Sequence, residues 1–149
     1  MLRNVAGVVL GIVLGSVANM ALVSLNMSLF PLPAGASTDD PEAFRAYIAS
    51  LPAAAFLLPF LAHFGQVLVG GLVAAKVGRA APGILVGIIG GLTVLGSLYM
   101  NLTIDPPAWA WIELPLYVPV IWGTILLARR IRGAPAPVTL QAGLGCSAR

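Results

Sequence analysis

Charge is nearly absent from four long stretches of this chain. Residues 4–38 and 80–104 carry none, 46–75 hold only His63 as an ionisable side chain of that kind, and 106–128 only Glu113. Each stretch can hold the ~20 apolar residues that cross a bilayer's hydrocarbon core. The pattern predicts an all-α membrane protein, a four-transmembrane-helix bundle with spans at about 5–26, 52–75, 82–100 and 108–128. A composition that is 59% hydrophobic and 9% charged suits a chain solvated mostly by lipid. The 149 residues leave room for these spans, one sizeable loop and a tail, hence one domain. The net charge of +3 comes from helix flanks, so no nucleic-acid partner is expected.

The remaining charges sort by side. Arg3, Lys76, Arg79, Arg129, Arg130, Arg132 and Arg149 flank one set of helix ends, while Asp39, Asp40, Glu42 and Asp105, with Arg45, flank the other. Lysine and arginine are retained on the cytoplasmic side during insertion, which predicts two cytoplasmic termini and two acidic outer loops. Arg3, an apolar run and Ala34-Gly35-Ala36 resemble a signal peptide, but Val5–Leu25 is longer than a secretory apolar region, so a retained span is expected. Cys146, the single cysteine, has no partner for a disulfide within the chain.

Phe30-Pro31-Leu32-Pro33 stops the first span. Asp40-Pro41-Glu42 then supplies a helix cap, a first-turn proline and a first-turn acid. A short interfacial helix over about 41–50 is expected in the first outer loop, either capping the bundle or lying on the membrane. Trp109, Trp111, Tyr99 and Tyr47 fall near the outer boundary, where amphipathic rings settle. Residues 133–149 lack periodicity and read as a flexible cytoplasmic tail.

Glycines recur every four residues at Gly7, Gly11 and Gly15 and again at Gly83, Gly87 and Gly91, while Gly70 continues into Ala74 and Gly78. Such stripes let backbones approach closely where lipid provides no hydrophobic drive between helices. They serve packing within the chain or an interface between copies. The polar residues of the spans are the other candidates, because the bilayer makes them costly. His63, Gln66 and Gly70 share a face of the second span, Glu113, Tyr117 and Thr124 one of the fourth, and Asn19 and Ser16 join Gly15 on the first. Ser97 and Asn101 continue the Gly87 and Gly90 side of the third. Pointed inward, they place His63 near mid-membrane and Glu113 one to two turns below the outer surface. A histidine and a glutamate there form a charge pair, a proton relay or an ion site, or are merely satisfied by neighbours.

No cofactor is expected: a haem has no second histidine, and zinc needs more ligands than His63 and Glu113. No nucleophile elbow, metalloprotease or phosphate-loop motif is present, and no enzymatic activity is expected.

Pro59-Phe-Leu-Ala-His63-Phe-Gly65 on the second span, and Trp111-Ile-Glu113-Leu-Pro115-Leu-Tyr117 with Pro119 on the fourth, resemble an uncharacterised family of small bacterial four-helix membrane proteins. The resemblance covers roughly residues 1–130 and implies the four-helix fold and a bacterial inner-membrane location, but no activity. The leading expectation is an accessory or scaffold subunit that packs into a homo-oligomer or a larger membrane complex. The alternative is a small oligomeric channel or proton-coupled transporter using His63 and Glu113.

Overall fold

A computed structural model describes residues 1–34 and 37–133, so the tail expected at 133–149, with Cys146, lies almost wholly outside the described residues. The described residues form five α-helices and two 3-10 turns. Helix α1 spans Leu2–Leu29, α2 Pro41–Ser50, α3 Leu57–Val77, α4 Pro82–Ile104 and α5 Glu113–Ile131. The 3-10 turns Ala53–Phe56 and Ala108–Ile112 lead into α3 and α5. With those turns included, the long helices run 28, 25, 23 and 24 residues, each long and apolar enough to cross a membrane. At ~1.5 Å per residue, even the shortest exceeds ~30 Å of hydrocarbon.

Element boundaries follow local chemistry. Asp40 caps α2, its Oδ1 accepting from the amides of Glu42 at 3.0 Å and Ala43 at 3.2 Å, with Pro41 at the first helical position. Prolines also open α4 at Pro82 and precede the 3-10 turn at Pro107. Helix α4 ends at Asp105 in the left-handed conformation, φ 54°, which an aspartate tolerates better than most side chains. Pro119 lies inside α5, where its missing N–H frees the Pro115 carbonyl.

Packing is unequal. Helix α3 is central, meeting α1, α4 and α5, while α1 touches α3 along its length and α4 only sparsely. The buried residues of α1 are Gly7, Gly11, Gly15 and Asn26, so this helix is held by backbone proximity rather than by large side chains. A methyl group added at Gly11 would lie 2.5 Å from the Gly70 carbonyl oxygen, at Gly7 2.9 Å from that of Ala74, and at Gly15 2.8 Å from that of Gln66. Gly70 returns the fit, its added methyl falling 2.7 Å from the Gly11 oxygen. Dispersion across such a seam replaces the hydrophobic drive that lipid withholds. The α3–α4–α5 junction is filled by Ala75, Val86 and Ala128, with Gly71 under Thr124 and Gly90 under Ile121.

The charges separate to the two ends of the bundle. At the basic end, the Asn4 side-chain oxygen accepts from the amides of Arg79 at 2.7 Å and Ala80 at 3.0 Å, and Arg132 donates to the carbonyls of Ala80 and Gly78 at 2.6 and 2.7 Å. At the acidic end, α2 crosses the helix ends as a roof. Tyr47 donates to the Phe30 carbonyl, and Arg45 grips the Thr103 carbonyl through Nε at 3.0 Å and Nη2 at 2.8 Å. Burial raises the Tyr47 phenol above its ordinary pKa, which keeps it a donor. Ile48 and Leu51 pack onto Ala55, Phe56 and Ala110 beneath it. Trp109 meets Phe56 edge-on at 5.0 Å between ring centroids.

Candidate functional site

Polar residues converge at one level, below the roof. Glu113 opens α5 directly after a 3-10 turn, and the residue is only 2% exposed. A carboxylate in such surroundings is costly unless its oxygens are engaged. His63 of α3 meets Oε1 through Nδ1 at 2.5 Å, Tyr117 donates to the same oxygen at 2.9 Å, and Ser97 of α4 donates to Oε2 at 3.2 Å. One carboxyl group therefore ties the three interior helices together. Tyr117 reaches it because residues four apart on a helix lie one above the other. Phe64 closes the far side of the phenol, edge-on at 5.4 Å.

Sequence-level depth needs correction. Helical rise alone places His63 near mid-membrane and Glu113 one to two turns below the outer surface; their contact puts both groups at one level. The grouping of Ser97 with Gly87 also fails. Ser97 lies two helical turns from Gly90 and shares its buried face, whereas Gly87 is exposed. Gln66 is drawn to α1, against Gly15, and takes no part in the Glu113 cluster. Asn19 is likewise apart, its buried Nδ2 without a partner among the described residues.

The glycine stripes divide. Those of α1 and Gly70 of α3 form the seam described above. A methyl added at Gly83, Gly87 or Gly91 meets nothing within 4 Å, so the second stripe packs against no part of the described chain. On α4 the glycine that does pack inside is Gly90, where an added methyl would fall 2.6 Å from the Ile121 side chain.

Above the cluster, between the acidic-end portions of α1, α3, α4 and α5 and under α2, lies a cavity of about 220 Å³. His63 and Glu113 are its deepest residues on α3 and α5, and Asn26, Tyr47, Phe60 and Asn101 line it higher up. Asn26 of α1 stands at the end of the expected first span, where a polar side chain is ordinary. Its spacing of seven from Asn19 places both on the face that carries Gly15, which is the signal that finds it. No group of three or more histidine, cysteine, aspartate or glutamate side chains suited to a metal occurs among the described residues.

The helices and this polar centre define the class: an all-helical protein with four helices fit to cross a membrane, which is the architecture of a multi-pass integral membrane protein. No protein-family model, curated protein or solved structure matches the chain.

Proposed function

We propose that the protein is an accessory or scaffold subunit of the bacterial inner membrane, with both termini cytoplasmic, that docks through the free face of α4. The supporting observation is the unused stripe Gly83, Gly87 and Gly91, a shallow groove beside an exposed ridge of Ile84, Ile88, Leu92 and Leu95. A ridge beside a groove on one helix is self-complementary, which suits a second copy related by a twofold axis along the membrane normal. Lipid tails fill such a groove poorly, while another helix brings its backbone close. The basic flanks Arg3, Lys76, Arg79, Arg129, Arg130 and Arg132 support the orientation.

Crosslinking in native membranes tests the docking face. With Cys146 replaced by serine, Gly87→Cys is expected to form a disulfide-linked dimer under mild oxidation, whereas Val118→Cys, exposed on α5, is not. A partner of another sequence would appear as loss of Gly87→Cys alkylation without a dimer band. Equal dimer yields at both positions would contradict the assignment.

A second reading rests on the Glu113 cluster. His63 bonds the carboxyl through Nδ1 and lines the cavity above, so its ring links that space to a buried acid, the arrangement a proton-coupled transporter requires. The basic-end half of the bundle is closed by Val67, Ala74, Leu85 and Val86, each 1% exposed or less. Passage through one chain therefore calls for a second conformation of these helices.

A further inference from the structure

We infer that the acidic-end cavity is a binding site for a neutral lipid alcohol, an apolar chain ending in an uncharged hydroxyl head. Two polar side chains on its wall point to such a head. Asn26 is 7% exposed, and its Oδ1, an acceptor, has no partner among the described residues; Nδ2 of Asn101, a donor, is buried and equally unpartnered among them. Amide donors and acceptors left bare in a low-dielectric interior carry an uncompensated desolvation cost, so two on the wall of one cavity mark a place where a ligand gains by supplying the missing bonds. A hydroxyl is the small group that donates and accepts at once.

A negative charge on the ligand is disfavoured by what faces it. The ionisable side chains at the base of the cavity, His63 and Glu113, already engage each other, and Arg45 is committed to the Thr103 carbonyl. A carboxylate or phosphate head would find no free cation there among the described residues and would lose its hydration. The rest of the wall is aromatic or aliphatic, including Phe44, Ile48, Phe56 and Phe60.

The shape specifies a chain. About 220 Å³ corresponds to roughly seven water volumes, enough for a head and its first carbons but not for a whole lipid. Met27 of α1 and Met100 of α4 line the cavity and are also 37% and 44% exposed on the outside of the bundle. They stand on two helices that meet only sparsely, and the alkyl chain is assigned an exit through the gap between them. Thioether side chains are pliant and adapt to an alkyl chain leaving through that gap. This site is separate from the glycine face of α4 and does not depend on docking there.

The test is photolabelling of the purified full-length protein in phosphatidylcholine nanodiscs, using hexadecanol with a diazirine near its hydroxyl end. Label is expected on the cavity wall, at Met27, Met100 or their neighbours, displaced by unlabelled hexadecanol but not by hexadecane or hexadecyl phosphate. Asn26→Leu and Asn101→Leu are each expected to weaken labelling roughly tenfold, the worth of one hydrogen bond. Displacement by hexadecane as effective as by hexadecanol would overturn the proposal, as would stronger displacement by the phosphate. So would absence of label from the cavity, the result if water alone fills it. The competition series uses the unaltered protein, so it decides even if a leucine variant fails to fold.

Discussion

Gly11→Leu is expected to detach α1 from α3, at a cost above about 3 kcal/mol. The first added carbon already lies 2.5 Å from the Gly70 carbonyl oxygen, and that obstacle is backbone, so no rotamer change relieves it. Ordinary cores absorb extra methylenes by moving side chains, whereas here two helices must separate along a seam of Gly7, Gly11, Gly15, Gly70 and Ala74. Beyond the Asn4 bonds to Arg79 and Ala80 and Val8 against Ala74 and Leu85, little else holds α1, because its exposed leucines, valines and isoleucine face away from the bundle. Hydrogen exchange in detergent measures the effect: amides around Gly15 and Gly70 lose protection together, while those at the α4–α5 contact near Gly90 keep theirs. Gly87→Leu, at a position where an added methyl meets nothing within 4 Å among the described residues, is the control and is expected to shift monomer stability by less than about 0.5 kcal/mol. Equal effects from the two leucines would show that the seam is not what holds α1.

Glu113→Ala is the second large effect. Removing the carboxyl strips His63, Tyr117 and Ser97 of one shared acceptor, leaving groups from three helices bare in the interior. Breaking a buried pair in this way costs about 3–5 kcal/mol. Glu113→Gln keeps an acceptor of similar shape and is expected to cost distinctly less. Denaturation by sodium dodecyl sulfate followed by circular dichroism measures both. A double-mutant cycle with His63→Ala is expected to give a coupling of more than about 1 kcal/mol between His63 and Glu113, as contacting residues in one network do. The same variants separate the two functional readings. In proteoliposomes with a pH gradient, a proton carrier loses flux in Glu113→Gln while remaining folded, and a scaffold shows no flux to lose. Glu113→Ala as stable as the parent would mean the cluster contributes nothing to holding the helices.

Much of this architecture is legible in the sequence because lipid simplifies the code. Backbone groups in a bilayer must bond within their own helix, so long uncharged runs such as 80–104 specify spans almost directly. The cap at Asp40, the stop at Phe30-Pro31 and the helix between them and Ser50 follow from equally local chemistry. Tyr117 beside Glu113 follows from helical spacing alone. Pairing between helices is different, since it depends on which faces meet. Gly7-Gly11-Gly15 and Gly83-Gly87-Gly91 look the same in sequence, yet the first stripe is buried against α3 and the second meets nothing among the described residues. Periodicity reports a face, not its partner. His63 meeting Glu113 is likewise a tertiary fact, set by where the 3-10 turns Ala53–Phe56 and Ala108–Ile112 end and α3 and α5 begin. Asn26 was hidden because polar residues near a span's end are common at the interface, where water would satisfy them; the roof of α2 turns this one inward.

Docking through the α4 face is tested most directly by native mass spectrometry of the tagged protein, extracted gently and read for mass and bound subunits together. The expected result is a species heavier than the 15.3 kDa chain, either a whole-number multiple of it or a stoichiometric complex with another membrane protein, that reverts to monomer in Gly87→Leu. A parent protein that flies only as a 15.3 kDa monomer, or an assembly indifferent to leucine at position 87, would contradict it.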